Sequence, residues 1–204
     1  KNVPLVKDVI TMKNLLISLG SKVEILKKNK MIIKNSKPHK RRVPYKLVST
    51  MRAGVLTMGS LLGRYQKKKI YVAKGGGCSL GIRDINYHLS GFESLAAEHH
   101  LEKGYVRIQS KNGLVGGSYK FPKVSVTGTS NLIMASVLSK GKHIIRNISI
   151  EPEVIDLITF LNNSGSKIKF IGKRSIKILG VTELTTGEHT IIGDRIEAFS
   201  YLCV

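Results

Sequence analysis

Cys78 has the most evident chemical potential in this sequence, because it lies in the glycine-rich stretch YVAKGGGCSLGIRD, residues 71–84. Three glycines precede it and Gly81 follows, which favours a loop. Lys74 and Arg83 would stabilise a thiolate over a thiol. A buried packing residue is the more common fate of a free cysteine, but glycines offer little apolar surface to pack against. The stretch predicts a loop that carries a reactive thiol, with a packing role as the alternative.

Three further stretches place polar groups at expected helix starts. Arg52 in TMRAG stands where a guanidinium and backbone N–H groups can together hold an anion. Residues 123–128, KVSVTG, lead from a strand into a helix, so that main-chain donors and Ser125 could approach a phosphate or a sugar. Asp194 and Glu197 in GDRIE are expected to cap a helix. The first two stretches are therefore candidate anion-binding segments, and the third is a structural signal.

The elements that would position these residues come from an internal repeat. The sequence from Asn2 aligns with the sequence from Asn147, and a third copy lies in HLSGFESLAAEHHLEKGYVRIQS. Each copy has apolar residues at helical spacing, followed by Gly20, Ala96 or Gly165 and then by two alternating strands around a basic turn. Two apolar helices that feed strands lie between the copies. The sequence therefore predicts an α/β repeat domain.

Composition limits the possible partners. The 204 residues carry a formal net charge of +21, and 42% of them are hydrophobic. No run of about 18 apolar residues and no secretory leader is readable, so we expect a cytoplasmic protein without a membrane partner. Lysine and arginine are spread along the whole chain, aromatics are only 6%, and no nucleic-acid motif accompanies them. This pattern disfavours nucleic acid and is compatible with a small anionic substrate.

The two cysteines give no sign of a metal site or a disulfide framework. Cys78 and Cys203 lie far apart, without CxxC or cysteine–histidine ligand spacing. Cys203 belongs to the apolar run FSYLCV at residues 199–204. We expect Cys203 to pack in the core.

Several stretches, in order along the chain, resemble one family: NVPLVKDV, LVSTMRAG, GGGCSLGIRDINYHLSG, LEKGYV, FPKVSVTGTSNLIMA, EPEVIDLITFL and GDRIE. They are similar to the UDP-N-acetylglucosamine 1-carboxyvinyltransferases, which are enolpyruvyl transferases. The resemblance implies an inverse α/β barrel domain of repeated βαβαββ units over residues 1–193, with 194–204 starting the crossover into a second domain. It implies transfer of the enolpyruvyl group of phosphoenolpyruvate to the 3'-hydroxyl of UDP-N-acetylglucosamine, with release of phosphate and without a metal or organic cofactor.

The resemblance also implies roles for individual residues. Cys78 matches the catalytic cysteine, which donates a proton to the enol carbon, can form a covalent adduct and is alkylated by fosfomycin. Arg83 matches an arginine that binds phosphoenolpyruvate, and Arg52 matches one that holds the nucleotide sugar. Segments lining the nucleotide-sugar site are matched by Asp84, Ile85, Asn86, Tyr87, Lys123, Val124, Ser125 and Val126.

The same resemblance predicts that the sequence is truncated at both ends. The family's Lys-Asn pair, which contacts phosphoenolpyruvate, would precede Lys1, and the aspartate taken as general base would lie in the second domain. We therefore expect no turnover from this chain alone. Two alternatives stay open: a shikimate-pathway enolpyruvyl transferase, which shares the fold but lacks the cysteine loop, and a non-catalytic basic remnant that binds nucleic acid or a protein.

Overall fold

The computed structural model describes residues 1–35, 40–73, 85–185 and 187–203. Cys78, Arg83 and Asp84 therefore lie outside the described residues. The helices are α1 (Lys7–Ser18), α2 (Tyr45–Val48), a 3₁₀ helix (Arg52–Leu56), α3 (Thr57–Arg64), α4 (Asn86–Glu93), α5 (Val126–Ser136), α6 (Pro152–Asn163) and α7 (Arg195–Leu202). The strands are β1 (Lys22–Leu26), β2 (Lys30–Lys34), β3 (Ile70–Ala73), β4 (Glu98–Glu102), β5 (Tyr105–Gln109), β6 (Ser118–Lys120), β7 (Lys142–Arg146), β8 (Lys167–Gly172) and β9 (Ser175–Leu179).

The described strands form three sheets, with orders β1-β2, β3-β5-β4 and β6-β7-β9-β8. All pairs are antiparallel except β6 with β7, which is parallel. The predicted mixed α/β class is thus confirmed. The helix–strand–turn–strand unit also occurs three times, as α1-β1-β2, α4-β4-β5 and α6-β8-β9.

The three units end their helices in the same way. Gly20, Ala96 and Gly165 have φ of 105°, 61° and 97°, which is the left-handed conformation that closes a helix. In each unit the N–H of the next residue donates back to a carbonyl five positions earlier, as in the 3.0 Å bond from Ser166 N to Leu161 O. The conformation costs little for glycine but strains alanine. Ala96 therefore keeps the repeat geometry at a local cost.

Close contact between α3 and α5 forms the centre of the fold. A Cβ at Gly59 would lie 2.1 Å from Asn131 O, and one at Gly63 would lie 2.6 Å from Met134 O. Only glycine allows the two backbones to approach this closely, and α5 buries Leu132 and Ile133 in the same core. The four-residue spacing of the glycines places both on one face of α3.

His143 of β7 is a buried polar residue outside this centre. Its Nε2 contacts Ser139 Oγ, and the Ser139 hydroxyl donates to Ser136 O at 2.6 Å. Nε2 must then carry the hydrogen, and Nδ1 is buried with no hydrogen-bond partner among the described residues. Burial lowers the pKa of His143 from 6.5 to about 4, because a second proton would bring a charge into the interior.

The expectation that Cys203 packs in the core is wrong. Cys203 is exposed and immediately follows α7, which has no buried residue. The apolar side chains of this helix, such as Phe199 and Leu202, are themselves exposed, so they offer no core for the thiol to join. Asp194 does cap α7 as predicted, accepting from Ile196 N at 2.8 Å. No helix in the described ranges is long and apolar enough to cross a membrane.

Candidate active site

The structure brings together three helix starts that carry predicted site residues. Arg52 begins the 3₁₀ helix, Asn86 begins α4, and Val126 begins α5. The 3₁₀ helix and α5 each follow an extended N-cap residue, Met51 and Ser125, and side-chain hydrogen bonds connect all three helix starts. Residues separated by more than 70 positions in the sequence therefore belong to one region of the fold.

Asn131 of α5 is the main connection, and its side chain is completely buried. Its Oδ1 accepts from Gly59 N at 2.9 Å, and its Nδ2 donates to Val55 O at 3.0 Å. In a continuous α-helix the Gly59 N–H would donate to Val55 O, four residues earlier. The Asn131 amide serves both groups at the junction between the 3₁₀ helix and α3. The turn that carries Arg52 is thereby fixed to α5.

His88 extends this connection to α4. Asn131 Nδ2 lies 2.7 Å from His88 Nδ1, and His88 Nε2 lies 3.5 Å from Thr127 Oγ1 in the first turn of α5. Since the amide nitrogen can only donate, Nδ1 is the acceptor and Nε2 carries the hydrogen. His88 is buried and so holds the start of α4, next to Asn86 and Tyr87, against the start of α5.

The start of α5 carries the second predicted binding segment. Ser125 is the N-cap, and its Oγ accepts from Gly128 N at 3.1 Å. This contact is the usual role of serine at a helix start and was not the role predicted for Ser125. Val126 lies within the helix, which therefore starts earlier than the sequence suggested. Lys123 and Val124 are exposed, while Ser125 and Val126 are half-buried.

Tyr119 of β6 connects the α4 start to a sheet. Its hydroxyl lies 2.8 Å from Ser90 Oγ and donates to Tyr87 O at 3.4 Å. Its ring meets the Phe121 ring edge-on, with centroids 4.8 Å apart. The backbone at Tyr87 is therefore supported by α5 on one side and by β6 on another.

The segment that contains Cys78 has a packed residue before it and another after it in the sequence. It follows β3, whose last residue Ala73 is buried, and precedes Ile85, which packs against the core. Tyr71 of β3 donates its backbone N–H to Arg41 O and accepts from Val43 N, both at 2.8 Å, so the 41–43 segment pairs with β3. The Arg42 guanidinium lies 4.2 Å from the centre of the Tyr105 ring. The predicted roles of Cys78, Arg83 and Asp84 remain predictions, because these residues lie outside the described ranges.

The sequence prediction missed the residues that hold the site together, namely Asn131, His88, Thr127 and Tyr119. One signal was readable: Asn131 is a polar residue inside the apolar run NLIMA, and a polar residue buried in a helix needs partners. Within the part of the chain that is described, no group of three or more His, Cys, Asp or Glu side chains could hold a metal ion.

A family model described as EPSP synthase (3-phosphoshikimate 1-carboxyvinyltransferase) matches residues 1–204. The chain belongs to the EPSP synthase family. Within it, the chain is 46% identical over 201 residues to the UDP-N-acetylglucosamine 1-carboxyvinyltransferase of Pelagibacter ubique, covering 98% of this chain and 48% of that protein. A Staphylococcus epidermidis protein with the same name, numbered 1, is 44% identical over 202 residues and is covered to the same 48%, with 98% of this chain matched. The chain thus spans about half the length of these relatives.

Solved structures show the same fold for this EPSP synthase family chain. The enolpyruvyl transferase NikO from Streptomyces tendae superposes with a TM-score of 0.82 at 14% identity, over 98% of this chain and 47% of that one. EPSP synthase from Acinetobacter baumannii gives 0.67 at 18% identity, over 89% and 41%. At these identities the likeness concerns the fold alone. The expected relation to enolpyruvyl transferases is confirmed.

Proposed function

We propose that the protein containing this chain transfers the enolpyruvyl group of phosphoenolpyruvate to the 3'-hydroxyl of UDP-N-acetylglucosamine and releases phosphate. The observation that carries the proposal is the 46% identity, over 98% of the chain, to a relative named for this nucleotide sugar. The cysteine-containing stretch that resembles this family supports it. Both substrates are anionic, which agrees with a chain of net charge +21.

The described geometry supports a binding role for the three helix starts. Arg52 is held by the turn that Asn131 fixes, and a fixed guanidinium suits a phosphate or carboxylate. The positive ends of the α4 and α5 helix dipoles favour an anion, and both helices start beside Asn86, Tyr87 and the 123–126 segment. Cations and backbone donors fixed in this way stabilise charge as it develops during addition and elimination.

Each predicted site residue has one task in this reaction. Cys78 donates the proton to the enol carbon of phosphoenolpyruvate during addition of the sugar hydroxyl, and Arg83 binds the phosphate. Arg52 holds the nucleotide sugar. The segments that line the nucleotide-sugar site are Asp84, Ile85, Asn86, Tyr87, Lys123, Val124, Ser125 and Val126.

The wider context follows from the reaction. We place the protein in the cytoplasm, at the first committed step of peptidoglycan precursor synthesis, and hence in cell-wall growth and division. We also propose that residues 1–193 form an inverse α/β barrel domain of βαβαββ units and that 194–204 begin a crossover to a further domain. A 3-phosphoshikimate acceptor is the alternative that the name of the family model offers, and the identity to relatives named for UDP-N-acetylglucosamine does not favour it.

The test is covalent labelling by fosfomycin combined with phosphate release. The protein is incubated with fosfomycin and UDP-N-acetylglucosamine, and the labelled peptide is mapped by mass spectrometry. We expect one added fosfomycin on Cys78 and none in Cys78→Ser. Cys203→Ser is the matched control, because Cys203 is exposed and should leave labelling of Cys78 intact.

Phosphate release then identifies the acceptor. Release from phosphoenolpyruvate should depend on UDP-N-acetylglucosamine and not on 3-phosphoshikimate. Label on Cys203 alone, or turnover that requires 3-phosphoshikimate, would contradict the proposal. Absence of turnover by the 204-residue chain with Cys78 still labelled would support the expectation that this chain needs a second domain.

A further inference from the structure

Cationic side chains that are spread over 58 positions of the sequence, from Lys120 to Lys177, lie together on the outward face of the four-stranded sheet. Along β7, β8 and β9, the side chains of His143, Ile145, Ile168, Ile176 and Ile178 are buried on one face. The alternate positions point to the other face. That face, which we name the basic sheet face, carries six cationic side chains: Lys120, Lys142, Arg146, Lys167, Lys169 and Lys177.

Strand register places these cations in three rows. Lys120 pairs with Arg146, and Lys169 pairs with Lys177, so two rows hold cations on directly neighbouring strands. In the third row Leu179 lies between Lys142 and Lys167. Rows two residues apart along a strand are separated by about 7 Å. Like charges directly opposite each other destabilise a sheet, so this arrangement needs an explanation other than stability.

Nothing on the basic sheet face neutralises the charge. The sequences of β6, β7, β8 and β9 contain no aspartate or glutamate. Among the described residues, none of the six cations has a carboxylate within ion-pair distance. Arg146 donates to Ser118 Oγ at 2.8 Å, which leaves its charge uncompensated. The face is therefore suited to an anionic partner.

The neighbouring side chains indicate which anionic partner fits best. Ile144 and Leu179 lie among the cations in the register. Neither aromatic residue of β6–β9 belongs to the outward face, because Tyr119 pairs with Ile145 and Phe170 pairs with Ile176, both of which are buried on the other face. Single-stranded nucleic acid binds through aromatic stacking platforms, and duplex readout uses a helix or ribbon in a groove. A broad face of cations and aliphatic side chains is better matched to lipid headgroups, which attract lysine and arginine near a membrane surface.

We propose that the basic sheet face binds the surface of an anionic lipid membrane. At the β8 edge of this face, Lys167, Lys169, Lys177 and Leu179 join Asn162 and Ser166 in lining a cavity of about 420 Å³, which has room for a phosphate-bearing headgroup. This peripheral contact is independent of the proposed reaction. It also requires no spanning helix. The sequence favoured neither a membrane nor nucleic acid, because spacing along the chain does not show which lysines a sheet brings together.

The test is co-sedimentation of the full chain with vesicles of phosphatidylcholine, with or without about one third phosphatidylglycerol. The variant K167Q/K169Q/K177Q removes three charges from the face. The matched control K67Q/K68Q/K69Q removes three charges from exposed positions in the turn before β3. Each lysine near an anionic surface changes partitioning about fivefold, so the face variant should bind about 100-fold more weakly. The control should stay within a few-fold of the parent.

Three results would overturn the proposal: equal weakening by the two variants, binding to neutral vesicles at the same strength, or no vesicle binding at all. Duplex DNA serves as the competing polyanion. Retention of DNA without vesicle binding, lost in the face variant, would assign the face to nucleic acid instead. A measurement on the parent protein avoids dependence on variant folding: anionic vesicles should protect Lys167, Lys169 and Lys177 from acetylation, but not Lys67.

Discussion

Replacing Asn131 by leucine tests its hydrogen bonds, because the two side chains have the same number and branching of heavy atoms but leucine forms no hydrogen bond. Three buried groups lose a hydrogen bond: Gly59 N–H, Val55 C=O and His88 Nδ1, although Val55 C=O keeps a backbone N–H donor at the end of the 3₁₀ helix. Each buried group left unpaired costs about 1–3 kcal/mol, so loss of the bonds to Gly59 N–H and His88 Nδ1 costs at least about 2 kcal/mol. If Gly59 N–H closes directly onto Val55 O, as in a continuous helix, only the bond to His88 Nδ1 is lost without replacement and the cost falls to about 1–3 kcal/mol.

Urea unfolding, followed by circular dichroism, measures this loss. Asn163→Leu is the matched control, because Asn163 is exposed at the end of α6 and surface substitutions usually stay within about 0.5 kcal/mol. The two outcomes for Asn131→Leu also differ in affinity for UDP-N-acetylglucosamine. Closure of the helix would rotate the turn that begins at Arg52, so a smaller stability loss should accompany weaker binding. Stability and affinity both unchanged would refute the role assigned to Asn131.

Three further substitutions should change stability in the same unfolding assay. The free energy of unfolding should fall by up to about 3 kcal/mol as pH drops from 6.5 towards 4. The reason is that the pKa of His143 is lowered to about 4 in the folded protein, so the unfolded chain takes up the proton first. His143→Leu should remove this pH dependence, whereas His100→Gln, at an exposed position, should not. Gly59→Ala should cost about 3 kcal/mol or more, since its Cβ would meet Asn131 O at 2.1 Å, while Gly193→Ala, with open space around it, should cost under about 0.5 kcal/mol. Ala96→Gly should stabilise the protein by about 1 kcal/mol, because glycine relieves the strain of a left-handed residue, and a loss of stability there would contradict the strain reading.

The repeat was predictable because its signals are local. The spacing of apolar residues and the Gly-Ser-Lys motifs that begin at Gly20 and Gly165 depend only on nearby residues. The structure has a helix, a strand, a turn and a strand where these signals predicted them. The substitution at Ala96 kept the same backbone, with φ of 61°. The hydrogen bonds of the whole last turn therefore specify where the helix ends, and glycine only lowers the cost of the left-handed conformation there.

The connections within the site were not predictable, since they join distant positions. Asn131 bonds to Gly59 across 72 positions and to His88 across 43, and periodicity contains no term for such contacts. The prediction that Cys203 is buried was wrong for a related reason: apolar neighbours in the sequence indicate burial only where another element covers them. The roles of Cys78, Arg52 and Arg83 came from resemblance and stay predictions.

Helix α5 explains why stability and site geometry are coupled in this chain. A helix enclosed on most sides is expected to be apolar all round, yet α5 buries Thr129 and Asn131. Each is paired with a different element: Thr129 Oγ1 accepts from Ser149 N at 3.0 Å, and Asn131 serves the 3₁₀ helix, α3 and α4. Because a buried polar group must be satisfied, α5 can pack only when those elements are in register. The same register places the starts of the 3₁₀ helix, α4 and α5 together, so selection for a stable core also maintains the anion-binding arrangement proposed here.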